Sequence, residues 1–180
     1  MLNTMVENKL DTVDFGDIDV LTDSKKDLVK NVFESVSSKY DIMNDLMSLG
    51  VHRLWKNGFL DWMSPRPDQY LVDLAGGTGD IGFGFLQRGG NHVSIVDINT
   101  SMIEVAKKKL NSTLYSEKIS WIVSNAENIS LKDNIADVIS ISFGLRNVTD
   151  RIQALKEARR VLKPGGRFMC LEFSKVKPEI

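Results

Sequence analysis

The stretch Val72-Asp73-Leu74-Ala75-Gly76-Gly77-Thr78-Gly79-Asp80 holds the residue types best suited to chemistry in this chain. Gly76, Gly77 and Gly79 let the backbone turn sharply and let a ligand approach with no Cβ in the way. A helix starting directly after such a turn aims its unpaired amide N–H groups at whatever sits there. Gly77, Gly79 and Gly82 also satisfy the spacing of a dinucleotide-binding loop. Asp97 lies 18 residues beyond Gly79, just after the apolar run Val93–Val96. A carboxylate at the tip of a second strand can accept both hydroxyls of a ribose. Loop and acid together read as an adenosine site. The competing reading is a tight turn with a solvated helix cap.

Charge chooses among adenosine ligands. Asp73 stands just before the loop and Asp80 just after it, and two acids would repel a pyrophosphate. S-adenosyl-L-methionine has no phosphate and carries an ammonium and a sulfonium, which carboxylates favour. The pattern leans towards that ligand and away from NAD. Asn125-Ala126-Glu127 follows the third apolar run. A side-chain amide and a backbone N–H there can read an adenine edge; a simple polar turn explains the same residues equally well.

The elements that must position these groups are legible as rhythm. Short apolar runs occur at Tyr70–Ala75, Val93–Val96, Ile119–Val123, Val138–Ser142 and Phe168–Phe173. Helical patterns fall between them, at 80–88, 100–111 and 148–162. The last shows Val148, Ile152, Leu155 and Leu162 on one stripe and stops at Lys163-Pro164-Gly165-Gly166. Strands alternating with helices predict an α/β fold with right-handed crossovers and a largely parallel sheet. The link from 124 to 136 is the least defined crossover.

Residues 24–64 read as two helices ahead of this core. Val29, Val32, Phe33, Val36 and Tyr40 recur at helical spacing behind a Ser24 cap; Leu54, Trp55, Phe59 and Trp62 mark a second helix ending at Ser64-Pro65-Arg66-Pro67. Residues 1–23 carry Glu7, Asp11, Asp14, Asp17, Asp19 and Asp23 against Lys9 alone, an acidic and mobile leader unlike a transit or signal peptide. The expected division is therefore 1–23 leader, 24–64 helical lid and 65–180 core.

Composition excludes several classes. The chain has 180 residues, 42% of them apolar, with 23 basic and 24 acidic side chains. That suits one folded domain with a sizeable core. The balanced charge gives no electrostatic grip on nucleic acid, and no apolar run is long enough to span a bilayer. Cys170 is the single cysteine, beside only two histidines. No disulfide within the chain and no zinc-type cluster can form, and a cytoplasmic setting fits. Cys170 sits in an apolar run and reads as inert. Met43, Met47 and Met102 read as gap-filling core, and His52 as a structural histidine.

Several blocks resemble one family. Tyr40-Asp41-Ile42-Met43-Asn44-Asp45-Leu46-Met47-Ser48, then His52-Arg53-Leu54-Trp55-Lys56, are similar to the N-terminal signature of the C-methyltransferases of ubiquinone and menaquinone biosynthesis. Asp73–Asp80 resembles that family's glycine loop, with Ala75 where many class I enzymes have a first glycine. Ile141-Ser142-Phe143-Gly144-Leu145-Arg146-Asn147-Val148-Thr149-Asp150 is the most distinctive block, and Arg160–Gly166 through Leu171–Ser174 is similar to a second signature. The resemblance covers Val32 to Lys175.

The resemblance implies a Rossmann-like class I fold with helices on both faces of the sheet, an N-terminal helical lid, and S-adenosyl-L-methionine as cofactor. It places Thr78, Asp97, Asn125, Ala126 and Ser142 at cofactor contacts, and Arg146 and Asn147 near the reacting centre. The implied acceptor is a polyprenylated benzoquinol or a demethylmenaquinol, a lipid-soluble quinol that entails transient contact with a membrane surface. Methylating a ring carbon needs electron density there, which a quinol losing a phenolic proton supplies. A fixed guanidinium would stabilise the phenolate. With a pKa above ~12, Arg146 would not be the base. The plainer alternative pairs Arg146 with an acid such as Asp150. Tyr40 either faces the sulfonium or packs the lid, and Trp55 and Trp62 read as packing.

Class I sheets continue past a fifth strand, whereas this chain stops at Ile180. The expectation is a core lacking its C-terminal strands, with an open edge prone to self-association as a homo-oligomer. Two other functions compete: a non-catalytic cofactor-binding or assembly subunit, and an NAD-dependent oxidoreductase.

Overall fold

The five apolar runs become the five strands of one parallel sheet. The structure is a computed structural model and describes residues 12–15, 18–21, 51–110 and 115–173. Within the segment read as a mobile leader, β1 (Thr12–Phe15) and β2 (Ile18–Leu21) pair as an antiparallel hairpin. Tyr40, the helix expected before it, and Met43 and Met47 lie outside the described residues.

The remaining elements follow in order: α1 (Val51–Met63), β3 (Tyr70–Leu74), α2 (Asp80–Gln87), β4 (His92–Asp97), α3 (Thr100–Leu110), β5 (Ile119–Val123), β6 (Ala136–Ser142), α4 (Arg151–Val161) and β7 (Leu162–Leu171). The sheet order is β5-β4-β3-β6-β7, with every neighbouring pair parallel. The chain first winds from β3 outwards to β5, then returns to place β6 on β3's other side. That reversal opens a crevice beyond the C-terminal ends of β3 and β6. β3 and β4 are buried on both faces, which is why they read as unbroken apolar runs. Leu71, Ile95 and Phe85 build the core on one face; Val72, Val96 and Ile139 build it on the other.

Two features depart from the sequence reading, and the link it left undefined takes a form of its own. The segment between β5 and β6 contains no helix. Its backbone groups are instead met by side chains of α4: Arg160 donates to the carbonyls of Ile129 and Leu131 at 2.8 Å each, and Glu157 accepts the Ile129 N–H at 2.9 Å. The Lys163–Gly166 turn lies inside β7, extruded between the pairs Ala136–Leu162 and Val138–Arg167, with Gly165 at a φ of +81°. The stripe of α4 faces the other way: Ile152 and Leu155 are exposed, while Ala154, Ala158 and Val161 are buried. Small side chains let this helix lie close on the sheet, so its bulkier residues point outwards.

α1 is fixed to the core. Leu60 lies over Gly84 of α2 so closely that a Cβ there would meet Leu60 Cδ1 at 2.3 Å. Arg88 donates to Asp61 at 3.1 Å, and Arg167 of β7 donates to the Met63 carbonyl at 2.6 Å, satisfying a terminal acceptor of the helix. Trp55 and Trp62, read as packing, are exposed; α1 buries His52, Phe59, Leu60 and Met63 instead.

Candidate active site

A cavity opens in the crevice between β3 and β6. Its floor comes from the loop after β3 (Ala75, Gly76, Gly77, Thr78), with Asp73 beneath it. Ser142, Phe143 and Arg146 close the side after β6, and His52 and Lys56 reach in from α1. The sequence reading therefore brought six of its site residues to one place: Asp73, Gly76, Gly77, Thr78, Ser142 and Arg146.

The loop geometry explains its glycines. Gly77 and Gly79 have φ of +55° and +84°, the left-handed region. A Cβ at Gly76 would stand 2.8 Å from Ile95 Cγ2. Gly79 does not line the cavity; it is the N-cap residue of α2, and its carbonyl accepts from the Phe83 N–H at 2.8 Å. The loop is tied to β4 twice, through Gly76 N–H to the Val96 carbonyl (3.1 Å) and Gly77 N–H to Asp97 Oδ2 (2.8 Å). The other oxygen of Asp97 accepts the Asn99 N–H at 2.8 Å. Burial pushes the Asp97 carboxyl up, and the amides of Asn99, Gly77 and Ile98 pull against it. Asp97 thus holds the loop rather than lining the cavity itself. These amides do not saturate its two oxygens, which keep acceptor capacity for a hydroxyl.

Asp73 is almost wholly buried. Its Oδ1 accepts from Ser140 Oγ at 2.7 Å, while Oδ2 is buried with no hydrogen-bond partner. Burial drives this carboxyl up to about 7, although the Ser140 hydroxyl, the Gly82 amide and the nearby Lys56 oppose the shift. A buried acceptor left open beside a cavity is a place for a ligand cation. Ser142 Oγ, also on the wall, is likewise buried and unpartnered.

Asp80 does not add a second free acid, contrary to the charge argument above. Lys56 Nζ donates to its Oδ2 at 2.7 Å and Lys109 Nζ to its Oδ1 at 3.3 Å. Burial pushes Asp80 up, but the two lysines outweigh it and hold the carboxyl below its usual range.

Arg146 pairs with an acid, but the acid is Glu172. Its guanidinium donates to Glu172 Oε1, and its backbone N–H donates to Oε2 at 3.1 Å. The guanidinium also lies over Phe173, 5.5 Å from the ring centroid. Asp150 instead caps α4 through the Gln153 N–H at 2.9 Å. Phe173 stacks on Phe143 at 4.8 Å between centroids and meets Trp55 edge-on at 5.5 Å. These three rings and Arg146 form an aromatic rim.

Other expected site residues stand apart. Asn147 lies in the short turn Leu145–Asn147 and does not line the cavity; its N–H donates to the Gly144 carbonyl at 3.0 Å. Asn125 and Ala126 are also outside the lining. Asn125 Oδ1 accepts the Glu127 N–H at 3.0 Å, the polar-turn arrangement. Sequence reasoning did not assign Lys56, Glu172 and Phe173 to the site. Lys56 and Glu172 act through pairs 24 and 26 residues apart, which no local spacing reveals. Met102 is buried as expected and approaches Gly77. Cys170 is exposed rather than embedded. Its thiol is nevertheless pushed up by partial burial and by Glu172, which keeps it protonated.

Comparison with known proteins places this arrangement. The sequence profile described as the ubiE/COQ5 methyltransferase family matches residues 21–180. The "Ubiquinone/menaquinone biosynthesis C-methyltransferase UbiE" of Acidiphilium cryptum is 51% identical over 173 residues, covering 96% of this chain and 70% of that protein. Among solved structures, a SAM dependent methyltransferase from Aquifex aeolicus superposes with a TM-score of 0.61 at 20% identity, covering 69% of this chain and 67% of that one. The YcgJ protein from Bacillus subtilis gives 0.61 at 24% identity, covering 65% and 50%. These two likenesses show the fold. With nine-tenths of its length matched by the family profile, and a glycine loop and buried acid at the switch point of a class I sheet, the chain belongs to the ubiE/COQ5 methyltransferase family.

Proposed function

We propose that this chain transfers a methyl group from S-adenosyl-L-methionine to a ring carbon of a reduced isoprenoid quinone, a 2-polyprenyl-6-methoxy-1,4-benzoquinol or a demethylmenaquinol. The observation carrying the proposal is that the open carboxylate oxygen of Asp73 and the guanidinium of Arg146 meet one cavity, on the loop of a methyltransferase family.

The residues present fit the cofactor. Asp73 Oδ2 is a buried acceptor without a donor, suited to the amino-acid ammonium. Asp97, already holding Gly77 and Asn99, has lone pairs left for the ribose hydroxyls. Ser142 offers a further buried hydroxyl. When bound, S-adenosyl-L-methionine supplies an electrophilic methyl group on sulfur.

The chain's own contribution is placement and charge. Arg146 stabilises the phenolate of the acceptor as the ring becomes a carbon nucleophile. Glu172 holds this residue at two points, the guanidinium through Oε1 and the backbone N–H through Oε2. The phenolic proton passes to water, because a guanidinium does not take it. Once the ring carbon has taken the methyl group, the hydrogen on that carbon leaves as a proton and the oxygen is reprotonated, which restores the aromatic quinol. Phe143, Phe173 and Trp55 give a flat ring apolar surfaces to lie against. Val51, Leu54 and Trp62 of α1 are exposed on the same helix as Trp55. Such a stripe suits transient contact with a bilayer that holds the acceptor. Among the described residues, no helix is long and apolar enough to cross a membrane.

The test is product formation from a short-tailed benzoquinol and a short-tailed demethylmenaquinol, read by mass. Arg146→Ala should lower kcat by about 10- to 100-fold, and Arg146→Lys less, since the guanidinium is half-exposed and water screens part of its charge. Turnover of neither quinol by a chain that binds the cofactor would overturn the proposal, and near-native rates for both variants would remove Arg146 from it.

A further inference from the structure

Lys56 is the cavity-lining cation that the preceding reading leaves without a role. It projects from α1, its side chain is 18% exposed, and it shares the cavity with Asp73. An ammonium has three N–H donors. One of Lys56's points to Asp80 Oδ2 at 2.7 Å, and Asp80's other oxygen is held by Lys109. Asp80 therefore orients Lys56 while sharing its own charge with a second lysine. Asp80 lines the cavity as well, but with Lys56 and Lys109 both on it the cluster keeps one positive charge in excess, so the cavity has a positive end at α1 and an open carboxylate oxygen at the end of β3. A simple cation would find only the second end complementary. A zwitterion with ammonium and carboxylate on one carbon matches both.

We propose that Lys56 receives the carboxylate of the amino-acid ligand whose ammonium sits on Asp73, so that the two side chains select a zwitterion. The inference rests on the cofactor reading above and adds to it the group that reads the ligand's acid end. Lys56 also fixes where the amino-acid tail lies relative to the aromatic rim. It is a binding residue and takes no part in the chemical step.

The test measures dissociation constants by calorimetry for S-adenosylhomocysteine and its decarboxylated analogue, on the wild-type chain and on Lys56→Gln. The wild-type chain should prefer the intact ligand by about 10- to 100-fold, the range of one hydrogen bond to a charged group. Lys56→Gln should bind the two within about threefold of each other. Lys56→Arg should recover most of the preference. Removing Lys56 also weakens the ammonium site by raising Asp73, but that loss falls equally on both ligands, and the ratio cancels it. Asp80→Asn separates recognition from a latch: it should keep most of the preference, because Lys56 is still present. Equal binding of both ligands to the wild-type chain would overturn the inference. So would a Lys56→Gln variant with a native melting curve and an unchanged ratio. If neither ligand binds the wild-type chain, the cofactor reading falls and takes this inference with it; cofactor binding without carboxylate preference removes the inference alone.

Discussion

Asp73 is a carboxyl whose environment works against its charge. In the free protein its value of about 7 leaves it largely protonated in mild acid, whereas an ammonium ligand needs it ionised. Affinity for S-adenosylhomocysteine should therefore fall about tenfold per unit as pH drops from 7 to 5, measured by calorimetry in buffers of matched ionic strength. Stability carries the opposite sign. The folded value lies above the ordinary 3.8, so the contribution of Asp73 is complete below pH 4 and is lost progressively up to pH 7. Asp73→Asn lacks that loss but buries its own amide donor, at a cost of ~1–3 kcal/mol. The variant should be more stable than wild type by about 1–3 kcal/mol at pH 8 and less stable near pH 4. Denaturant melts at both values would check the crossing, and the variant should lose cofactor affinity throughout.

The same scale shows what could be read before folding. Thr78, Ser142 and Arg146 were assigned through the family resemblance, whereas Asp73, Gly76 and Gly77 were legible because they adjoin a strand end, and strand ends in an open parallel sheet converge on one crevice. Lys56 and Glu172 were not, because each reaches its partner across the tertiary fold. Asp97 was legible as an acid at a strand tip, but not as the anchor of Gly77.

At the scale of elements, β3, β4 and β6 announced themselves as apolar runs buried at the centre of the sheet. The 124–135 crossover did not, because it uses no repeating pattern. Arg160 substitutes for one. Besides the carbonyls of Ile129 and Leu131 it pairs with Glu157 and Asp133, both at 2.7 Å, and these partners push its guanidinium further up. Arg160→Met should cost about 2–4 kcal/mol and strip amide-exchange protection from 129–135 before the sheet loses any. Arg160→Lys should recover little, since one ammonium cannot reproduce the fork. Retained protection in Arg160→Met would show that the crossover holds itself. The α4 stripe misled for a different reason: helical periodicity locates an apolar face but does not say whether large or small residues meet the sheet. Here Ala154 and Ala158 do.

For the molecule as a whole, the cavity draws on α1, the β3 loop, the β6 loop and the segment after β7, so a ligand there bridges segments distant in the chain. A ligand binding only the folded chain stabilises it by RT ln(1 + [L]/Kd), about 2.7 kcal/mol at a hundredfold excess over Kd. For a chain of 180 residues this corresponds to a rise in Tm of about 5–10 °C. Calorimetric scans with S-adenosylhomocysteine should show that rise, and NAD at equal concentration should not. A largely parallel α/β sheet was legible from the alternation of strands and helices, and its class I character from the family resemblance; the direction in which α1 turns its tryptophans was not, since an exposed apolar stripe and a buried one look alike in sequence.

The amides gathered by Asp97 carry one last implication. Gly77 and the turn at Asn99 are stitched to a single carboxylate within the folded chain, so the bend is already cast when a sugar arrives. The ordering entropy is spent during folding, not at the encounter, which favours tight association from few new contacts. It also means that trimming the sugar and trimming the acid are unequal operations: a deoxyribose ligand forfeits a hydroxyl contact, whereas loss of the acid unpicks both seams around it.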